Sequence, residues 1–385
     1  MLLTIYIEHT HPNEELKLPF GGIQTQLLEL LPEYQKVEKL KIALITRYSE
    51  YCSDSSNVKI YQINKFKGSI LGKLYFYLSS FYKMVKIHHI ERIDMINVHT
   101  FSYSIITPLL LRIIFKMPIL MKIPIDFKSH IREISMMRSN TMVKKVICYS
   151  WLKLFQKFFL RKINYIRVIN NQMVQDLYRE NYPNERILRI SNGIEISKFA
   201  NLNKNTHEGV NYGFVGRLSR FKNLYYMLKE FKLYFEMYPL DQLLIYGDGP
   251  EFRSINTFIE QNNLSKNISL LGFERNITKI YESIDVLIDP SYGQGISNAN
   301  LEAMATSTLV IASKVDGNID LIKDGENGLL FEPKKKGALL EKLLKYKDSP
   351  NQAKSMTEKA KRIVSEVYDI KSITNQIVNF VFNRN

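Results

Sequence analysis

Two short segments in the second half of the chain combine residue types that can hold phosphates. In 216–222, Arg217 and Lys222 supply two cations five positions apart in a turn that starts with glycine. In 294–304, a glycine loop precedes a predicted helix that carries Glu302. Cationic side chains and helix N-termini bind phosphates, and a carboxylate inside the helix can accept hydrogen bonds from a vicinal diol. Phosphates beside a diol suggest a nucleotide sugar.

The composition is that of a globular protein with room for two domains. The chain has 385 residues, of which 45% are hydrophobic and 24% charged. Its two cysteines, Cys52 and Cys148, show no pairing or metal-binding spacing, which favours a reducing compartment. The first residues read as a strand and not as a signal peptide. The apolar window 101–121 is interrupted by two prolines and two cations, so we expect no membrane span and a cytoplasmic protein.

The positive charge is concentrated in the first half of the chain. Of the net charge of +15, residues 1–200 hold +13, from 29 Lys/Arg and 16 Asp/Glu, and the excess is strongest within 59–167. A bias toward lysine, isoleucine and asparagine codons is one explanation. Such a bias acts on both halves equally, so the asymmetry favours the other explanation, an anionic partner of the first half.

Apolar strands alternate with helical patterns throughout, which predicts an α/β fold with two doubly wound, Rossmann-like domains facing each other across a cleft. A polar, unpatterned stretch near 196–210 is the predicted seam. We therefore expect an N-terminal domain over 1–196, a linker over 197–209, a second domain over 210–365 and a terminal helix, 366–385, that packs back on the first domain. The predicted strands are 2–7, 41–46, 58–63, 95–99, 118–123 and 165–169, then 211–215, 242–246, 268–271, 285–288, 309–312 and 328–331.

This fold places the motifs at one edge of the second sheet. Ligands of open α/β sheets lie at the carboxyl ends of the strands. Gly216, Gly249 and Phe273 each follow a predicted strand there, and the backbone near Phe273 is expected to face a nucleobase. Ser297 or Asn298 is expected to cap the helix, which leaves amides of its first turn to face an anion.

Residues 187–333 resemble the donor half of the retaining glycosyltransferases of family 4, which have the GT-B fold. The resemblance rests on several motifs in the right order and spacing. The resemblance implies that Arg217 and Lys222 clamp the donor diphosphate, that Glu302 binds the ribose and that Gln294 touches the transferred sugar. It also implies that no metal or other cofactor is needed besides the nucleotide sugar. The motifs are Ser191-Asn-Gly-Ile194, Gly216-Arg217 with Lys222-Asn223, Gly247-Asp-Gly-Pro250, Leu301-Glu-Ala-Met304 and Asp324-Gly-Glu-Asn-Gly328.

The chain departs from the family pattern at two places in this half. The family usually has a glutamate where Gln294 stands, eight residues before Glu302. A glutamine can hydrogen-bond a sugar but cannot act as a carboxylate nucleophile or base. We expect either a front-face mechanism, in which the leaving phosphate takes the acceptor proton, or a change in donor choice. The helix end at 305–308 also lacks the usual glycine. The donor site is completed by Gly295, Ile296 and Ser297.

The resemblance is weaker in the first half. Gly21 and Gly22 correspond to the family's first glycine loop, although a simple turn explains them equally well. Where the family often has a histidine after the fifth strand, this chain has Lys122-Ile-Pro-Ile-Asp126, so Lys122 and Asp126 are candidate sugar or acceptor contacts. His99 ends the preceding strand and is either a third contact or a packed core residue. Glu8, His9 and His11 look like a metal set, but polar loops of this kind are common and we expect no metal.

Two predicted helices, 70–89 and 141–161, carry the basic excess together with many aromatic residues. This combination suits an anionic membrane surface, although a core-facing amphipathic helix gives a similar pattern. The expected acceptor is a glycan or a lipid-linked sugar, used at the inner face of the plasma membrane in bacterial surface polysaccharide synthesis. The aromatic and apolar residues are Leu71, Tyr75, Phe76, Tyr77, Phe81 and Tyr82, and Ile147, Trp151, Phe155, Phe158 and Phe159.

The sequence therefore predicts a hexosyl- or N-acetylhexosaminyltransferase. A donor-binding but catalytically degenerate subunit is an alternative because of Gln294. A sugar-nucleotide epimerase of the same fold would need acid and base groups in the cleft, and the sequence places none clearly. A nucleic-acid-binding role has only the basic charge in its favour and lacks a recognition motif.

Overall fold

The computed structural model describes residues 1–7, 22–46, 56–63, 70–99, 105–124, 127–136, 142–293 and 295–384. Within them the chain forms two parallel β-sheets, each with helices packed on both faces. The strand orders are β3-β2-β1-β4-β5-β6-β7 and β10-β9-β8-β11-β12-β13. Both contain the order 3-2-1-4-5-6 of doubly wound sheets, which confirms the predicted α/β fold.

The strands are short, and those inside each sheet are almost entirely buried, as expected of parallel strands covered on both faces, whereas the edge strands β3, β7 and β10 are partly exposed. The first sheet contains β1 (Leu2–Ile7), β2 (Lys41–Thr46), β3 (Val58–Gln62), β4 (Met95–Val98), β5 (Ile119–Ile123), β6 (Tyr165–Val168) and β7 (Ile187–Arg189). The second contains β8 (Asn211–Val215), β9 (Gln242–Tyr246), β10 (Ile268–Gly272), β11 (Val286–Asp289), β12 (Leu309–Ser313) and β13 (Leu329–Phe331).

The helices follow the strands in alternation. Those before the seam are α1 (Gly22–Gln35), α2 (Ile70–Ile90), α3 (Ile106–Phe115), α4 (Phe127–Met136), α5 (Met142–Leu154) and α6 (Asn171–Arg179). Those after it are α7 (Leu224–Met237), α8 (Phe252–Gln261), α9 (Ile277–Ser283), α10 (Asn298–Ala305), α11 (Asp316–Leu321), α12 (Ala338–Asp348), α13 (Pro350–Val367) and α14 (Ile370–Phe382). None of the helices in the described parts of the chain is long and apolar enough to span a membrane.

Two of these elements are absent from the sequence prediction. Strand β7 has three residues at the edge of the sheet, too few to show a period. Helix α4 lies in a polar stretch, and it is held by the other domain: the Arg132 guanidinium donates to the carbonyl of Tyr292. Contacts between distant segments of this kind cannot be read from local periodicity.

The last helix ties the two domains together. Ile370, Ile373 and Ile377 of α14 are buried in the core that covers one face of the first sheet. Just before this helix, the backbone amide of Ile194 donates a hydrogen bond of 2.9 Å to the carbonyl of Tyr368. Burying an isoleucine side chain contributes roughly 1.5–3 kcal/mol, so this helix anchors the end of the second half of the chain to the first domain.

The segment 197–209, expected to be a linker, is fixed to the second domain. Lys204 Nζ donates to the carbonyls of Tyr281 and Ile284 at 2.8 and 2.6 Å and to the hydroxyl of Thr308 at 2.5 Å. Burial lowers the pKa of the Lys204 ammonium to about 8. Three oxygen acceptors match the three donors of the Lys204 ammonium. The part of segment 197–209 around Lys204, which we call the strap, is therefore held against the second domain.

Candidate active site

The predicted phosphate-binding cations lie on the loop between β8 and α7. Arg217 is exposed and Lys222 is half-buried. The amide of Tyr292 donates to the carbonyl of Phe221 at 3.0 Å, so this loop lies directly beside the loop that follows β11. The structure therefore brings Lys222 close to the predicted glycine loop, although 70 residues separate them in the chain.

The glycines of the β9 loop serve the packing of the protein's own backbone. A β-carbon at Gly247 would collide with the carbonyl oxygen of Gly216, and one at Gly249 would collide with that of Leu218. Gly247 and Gly249 also have φ values of +133° and +156°, which other residues rarely adopt. These close contacts by themselves require glycine at both positions. They hold the loop of Arg217 against its neighbour.

Phe273 ends the row of strand-end loops. It follows β10 and is 45% exposed. The amide of Gly247 donates to the carbonyl of Gly272 at 2.6 Å, and the amide of Gly216 donates to that of Tyr246 at 3.0 Å. The three loops after β8, β9 and β10 are therefore adjacent, and the aromatic ring is presented at the far end of the row from the glycine loop.

The glycine loop after β11 is held from below by buried polar groups. Asp289 accepts hydrogen bonds from the hydroxyl of Ser291 at 2.5 Å and from the amide of Asn300 at 2.9 Å. Asn300 also donates to Asn318 at 2.9 Å, and the hydroxyl of Ser313 donates to the carbonyl of Ser291 at 2.6 Å. This network fixes both the start of the loop and the helix that follows it.

Helix α10 begins where the sequence predicted, but no side-chain hydrogen bond caps its first turn. Ser297 occupies the N-cap position with extended φ and ψ of −78° and 132°, yet its side chain accepts no hydrogen bond from the first turn. The expected serine cap is therefore wrong, because position alone does not fix the rotamer. Asn298 instead accepts a hydrogen bond from Asn192 at 3.1 Å. A first turn without a side-chain cap keeps its amides available to an anion.

Glu302 is buried in the middle of α10. Its side chain accepts a hydrogen bond from the Tyr281 hydroxyl at 3.0 Å, and the residue is 6% exposed. Burial, and after it the Glu29 carboxylate of the first domain, raises the pKa of Glu302 to about 7. Lys198 lies between two carboxylates, 3.6 Å from Glu29 and 3.2 Å from Glu195. The carboxyl predicted to bind ribose thus lies where both domains contribute charge.

The two domains meet at this loop. A β-carbon at Gly295 would collide with Ile169 and lie 2.8 Å from the carbonyl oxygen of Pro124, and one at Gly293 would collide with the Ser129 hydroxyl. The carboxyl ends of β5 and β6 therefore lie directly under the glycine loop. Both glycines are required by this contact between domains, which the sequence could not show.

The first-domain candidates lie deeper than expected. His99 and Lys122 are 1% and 2% exposed. Lys122 Nζ donates to Oδ1 of Asn192 at 2.8 Å, and Asn192 in turn donates to the carbonyl of Ile296 at 3.1 Å. Lys122 thus reaches the glycine loop through one intervening side chain.

Several predicted residues cannot be placed. Gly21, Asp126 and Gln294 lie outside the described residues, as do Glu8, His9 and His11. Gly22 is the first residue of α1, and within that helix Gln26 exchanges two hydrogen bonds with the backbone of Gly193, at 2.6 and 3.1 Å.

Sequence reasoning missed buried amides that join distant segments. Asn192 bonds to Asn298 across the two domains and Gln26 bonds to Gly193 within the first domain, and each pair is more than 100 residues apart in the chain. Asn192 belongs to the Ser-Asn-Gly motif, and Asn298 was considered only as a helix cap. Buried amides at motif positions were the available signal, since a buried amide requires partners.

The second half of the chain matches a known family. Residues 197–363 match the family "Glycosyl transferases group 1". The chain is a glycosyltransferase with a group 1 domain. The predicted GT-B fold is confirmed, because solved structures with this fold superpose on the whole chain.

Two relatives and one solved structure show how far the similarity reaches. The chain is 24% identical to an uncharacterized glycosyltransferase of Methanocaldococcus jannaschii over 93% of this chain and 96% of that protein. It is 30% identical to UDP-Gal:alpha-D-GlcNAc-diphosphoundecaprenol alpha-1,3-galactosyltransferase of Escherichia coli, but over only 48% of this chain and 51% of that enzyme. The group 1 transferase superposes on Anabaena HepE in complex with UDP-glucose with a TM-score of 0.72, at 16% identity and full coverage of both chains.

Proposed function

We propose that the protein is a retaining glycosyltransferase that moves a hexosyl or N-acetylhexosaminyl group from a nucleoside diphosphate to a hydroxyl of a glycan or lipid-linked sugar, in the synthesis of a bacterial surface polysaccharide. The observation that carries this proposal is the contact of the glycine loop, at Gly293 and Gly295, with the strand ends of the first domain. A donor held at α10 then has its sugar in the cleft between the domains.

The roles follow from where charge develops. In the transfer, the bond from the anomeric carbon to the diphosphate oxygen breaks and the acceptor oxygen bonds on the same face. The acceptor proton goes to the departing phosphate. Arg217, Lys222 and the first-turn amides of α10 stabilise the negative charge on the leaving group. Each charge-assisted hydrogen bond is worth roughly 1.5–3 kcal/mol, so the two side chains together supply about two to four decades in rate.

We assign the remaining donor contacts from the positions of these residues in the family motifs. Glu302 binds the ribose hydroxyls, Phe273 lies beside the base, and the backbone from Gly295 to Ser297 faces the phosphates together with Gly216, Gly21 and Gly22. Gln294 contacts the transferred sugar without acting as a nucleophile. Uridine is the first nucleoside to test, since the Escherichia coli relative is named for UDP-Gal and the Anabaena structure holds UDP-glucose. We further propose that transfer needs no metal, which unchanged activity in excess EDTA would support.

The acceptor side of the proposal concerns a membrane surface. On α2, Leu71, Leu74, Leu78 and Tyr82 recur at helical spacing and are 53–70% exposed. This exposed row corrects the sequence prediction, because the aromatic Phe76, expected on that face, is fully buried in the core. On the other helix, α5 and its continuation, Phe155 is also buried and Phe158 is 51% exposed.

The exposed row is accompanied by cations. Lys73 and Lys86 of α2 are exposed, and the adjacent α3 adds Ile106, Leu110 and Ile113 as exposed apolar residues. Apolar side chains flanked by lysines are typical of surfaces that bind anionic lipid headgroups. We therefore propose that the first domain contacts an anionic bilayer through α2 and α5, where a lipid-linked acceptor is available.

A donor screen tests the enzymatic proposal. Purified protein is expected to melt at a higher temperature with a uridine, guanosine or adenosine diphosphate sugar and to hydrolyse the same donor slowly. A donor that binds but is neither hydrolysed nor transferred to any acceptor would favour the degenerate subunit. If no nucleotide sugar changes the melting temperature and none is hydrolysed, the proposed function is wrong.

A further inference from the structure

Three nitrogen bases are buried side by side at the carboxyl ends of adjacent strands of the first sheet. His99 follows β4, Lys122 lies near the end of β5, and Arg167 lies near the end of β6. Lys122 and Arg167 are register partners in the parallel pair, so their side chains share one face of the sheet. All three residues are at most 2% exposed. A cluster of potential cations in this position must find partners other than water.

The partners that the structure supplies are neutral. Lys122 donates to the amide oxygen of Asn192 at 2.8 Å. Arg167 donates to the carbonyls of Ile190, at 3.0 Å, and Ser191. Within the described parts of the chain, neither ring nitrogen of His99 has a hydrogen-bond partner.

No carboxylate among the described residues pairs with this cluster. Burial lowers the pKa of both Lys122 and His99, and the neighbouring cations of the cluster lower it further. Arg167 has the Tyr34 phenol as its acidic neighbour, and burial lowers the pKa of its guanidinium to about 10. A buried cation without a compensating anion is strongly unfavourable, so an anion from outside the chain would stabilise this arrangement.

The cluster lies against the proposed sugar site. Asn192, which accepts from Lys122, also donates to the carbonyl of Ile296 and to Asn298, each at 3.1 Å. Nδ2 of Asn298 is buried without a hydrogen-bond partner. The sequence from Ser291 to Ser297 contains no acidic residue that would repel an anion.

We propose that the transferred sugar carries a carboxylate, as in a nucleoside diphosphate uronic acid, and that Lys122, Arg167 and His99 bind this carboxylate. This inference rests on the proposed function, because it assigns a sugar class to the same donor site. The carboxylate would accept hydrogen bonds from the free donors and supply the missing negative charge. With a neutral sugar the cluster would have no carboxylate partner among the residues that the structure describes.

The test compares donors that differ only at the sixth carbon. Dissociation constants are measured by calorimetry for UDP-glucuronate against UDP-glucose, and for GDP-mannuronate against GDP-mannose. We expect the uronate of at least one pair to bind at least tenfold more tightly. In Lys122→Met, which keeps the side-chain volume, the ratio of the two affinities is expected to fall at least tenfold.

Lys204→Met is the matched control, since Lys204 is another inward-pointing lysine held by oxygen acceptors but belongs to the strap after the seam. It is expected to keep the wild-type preference for the uronate. Equal affinity of the wild-type protein for the two members of every pair that binds would overturn the inference whether or not the variant folds, and would leave the glycosyltransferase proposal intact. A preference that Lys122→Met leaves unchanged would also overturn it. Failure of all four donors, and of the wider nucleotide-sugar screen, would remove the proposed function and this inference together.

Discussion

The two domains have the same topology but different surfaces. Of the twenty-two exposed large apolar side chains among the described residues, fifteen precede the seam near residue 196. The first 200 residues also carry nearly all of the net positive charge. The second domain instead concentrates its unusual features, the positive-φ glycines and the buried Glu302, at the ends of its strands.

This difference fits the proposed division of roles, in which the second half binds the donor and the first half meets the acceptor. A nucleoside diphosphate is small and is bound by cations, backbone amides and one carboxylate, all of which come from short motifs that a sequence shows. A glycan or lipid-linked acceptor is large, and a surface that contacts it is built from side chains spread along several helices. Local motifs therefore identify the second domain, whereas the first domain is understood only through its packing.

The strongest test of the comparison removes the cations of the donor half. Arg217→Ala and Lys222→Ala are each expected to lower turnover at least tenfold, and the double variant by about two to four decades, because the leaving group loses charge-assisted hydrogen bonds worth roughly 1.5–3 kcal/mol each. Steady-state donor hydrolysis measures the effect, and an unchanged melting temperature shows that folding is intact. Lys229→Ala, an exposed lysine of α7, is the control. Near-normal rates in both single variants would remove the phosphate clamp.

The next test addresses the exposed row of the first domain. Replacement of Leu71, Leu74 and Leu78 by serine is expected to reduce binding to anionic vesicles about a hundredfold, since each half-exposed leucine contributes roughly 1 kcal/mol on insertion. Flotation with phosphatidylglycerol vesicles at low salt measures the bound fraction. Donor hydrolysis is expected to stay at the wild-type rate. Absence of vesicle binding by the wild-type protein would end the membrane proposal and leave the donor site untouched.

Glu302 offers a test in which binding and stability change in opposite directions. Glu302→Gln is expected to weaken nucleotide-sugar binding about tenfold, because an amide replaces the carboxylate that accepts the ribose hydroxyls. Calorimetry on wild type and variant measures the change. Glu326→Gln, in the turn before β13, is the control carboxylate and is expected to bind the donor normally.

The same variant changes how stability depends on pH. Burial raises the folded-state pKa of Glu302 to about 7, so the folded protein binds a proton that the unfolded chain releases near pH 4.5. Stability of the unliganded protein must therefore fall as the pH rises from about 4.5 to 7, by on the order of 1–3 kcal/mol. Glu29, whose pKa burial also raises to about 7, adds to this slope. Urea unfolding at pH 5 and pH 8 is expected to show a smaller loss in Glu302→Gln, and an equal loss would contradict the assignment.

The smallest expected effect lies at the end of α10. Ser307 has a left-handed φ of +55°, a conformation that glycine adopts most readily after the end of a helix. Ser307→Gly is expected to stabilise the protein by about 0.5–1 kcal/mol, since glycine adopts this conformation without steric cost. Asn263 has the same φ but is a residue type that tolerates it, so Asn263→Gly should gain less. Denaturant midpoints measure both changes in stability. A loss of stability in Ser307→Gly, or a gain no larger than that of Asn263→Gly, would reject the explanation.

Particular elements show how far the sequence could be read. Hydrophobic periodicity and turn residues predicted the strands other than β7, helix α10 from Asn298 to Ala305 and the break between α13 and α14. They did not predict helix α4 and strand β7, because one is held by Tyr292 of the other domain and the other has only three residues. The close contacts of Gly247 and Gly293 could not be predicted either, since their neighbours are backbone and side chains from distant segments.

By itself the sequence predicted the kind of chemistry, because cations, glycine turns and a carboxylate at fixed spacing on one strand edge are typical of a site for a nucleotide sugar. Only the tertiary structure decided which side chains share a buried space. Lys122, Arg167 and His99 are far apart in the chain and become neighbours through the pairing of parallel strands, and Asn192 joins them to the glycine loop across the seam. The physical reason is that charge and burial act through space, whereas a motif records only order along the chain.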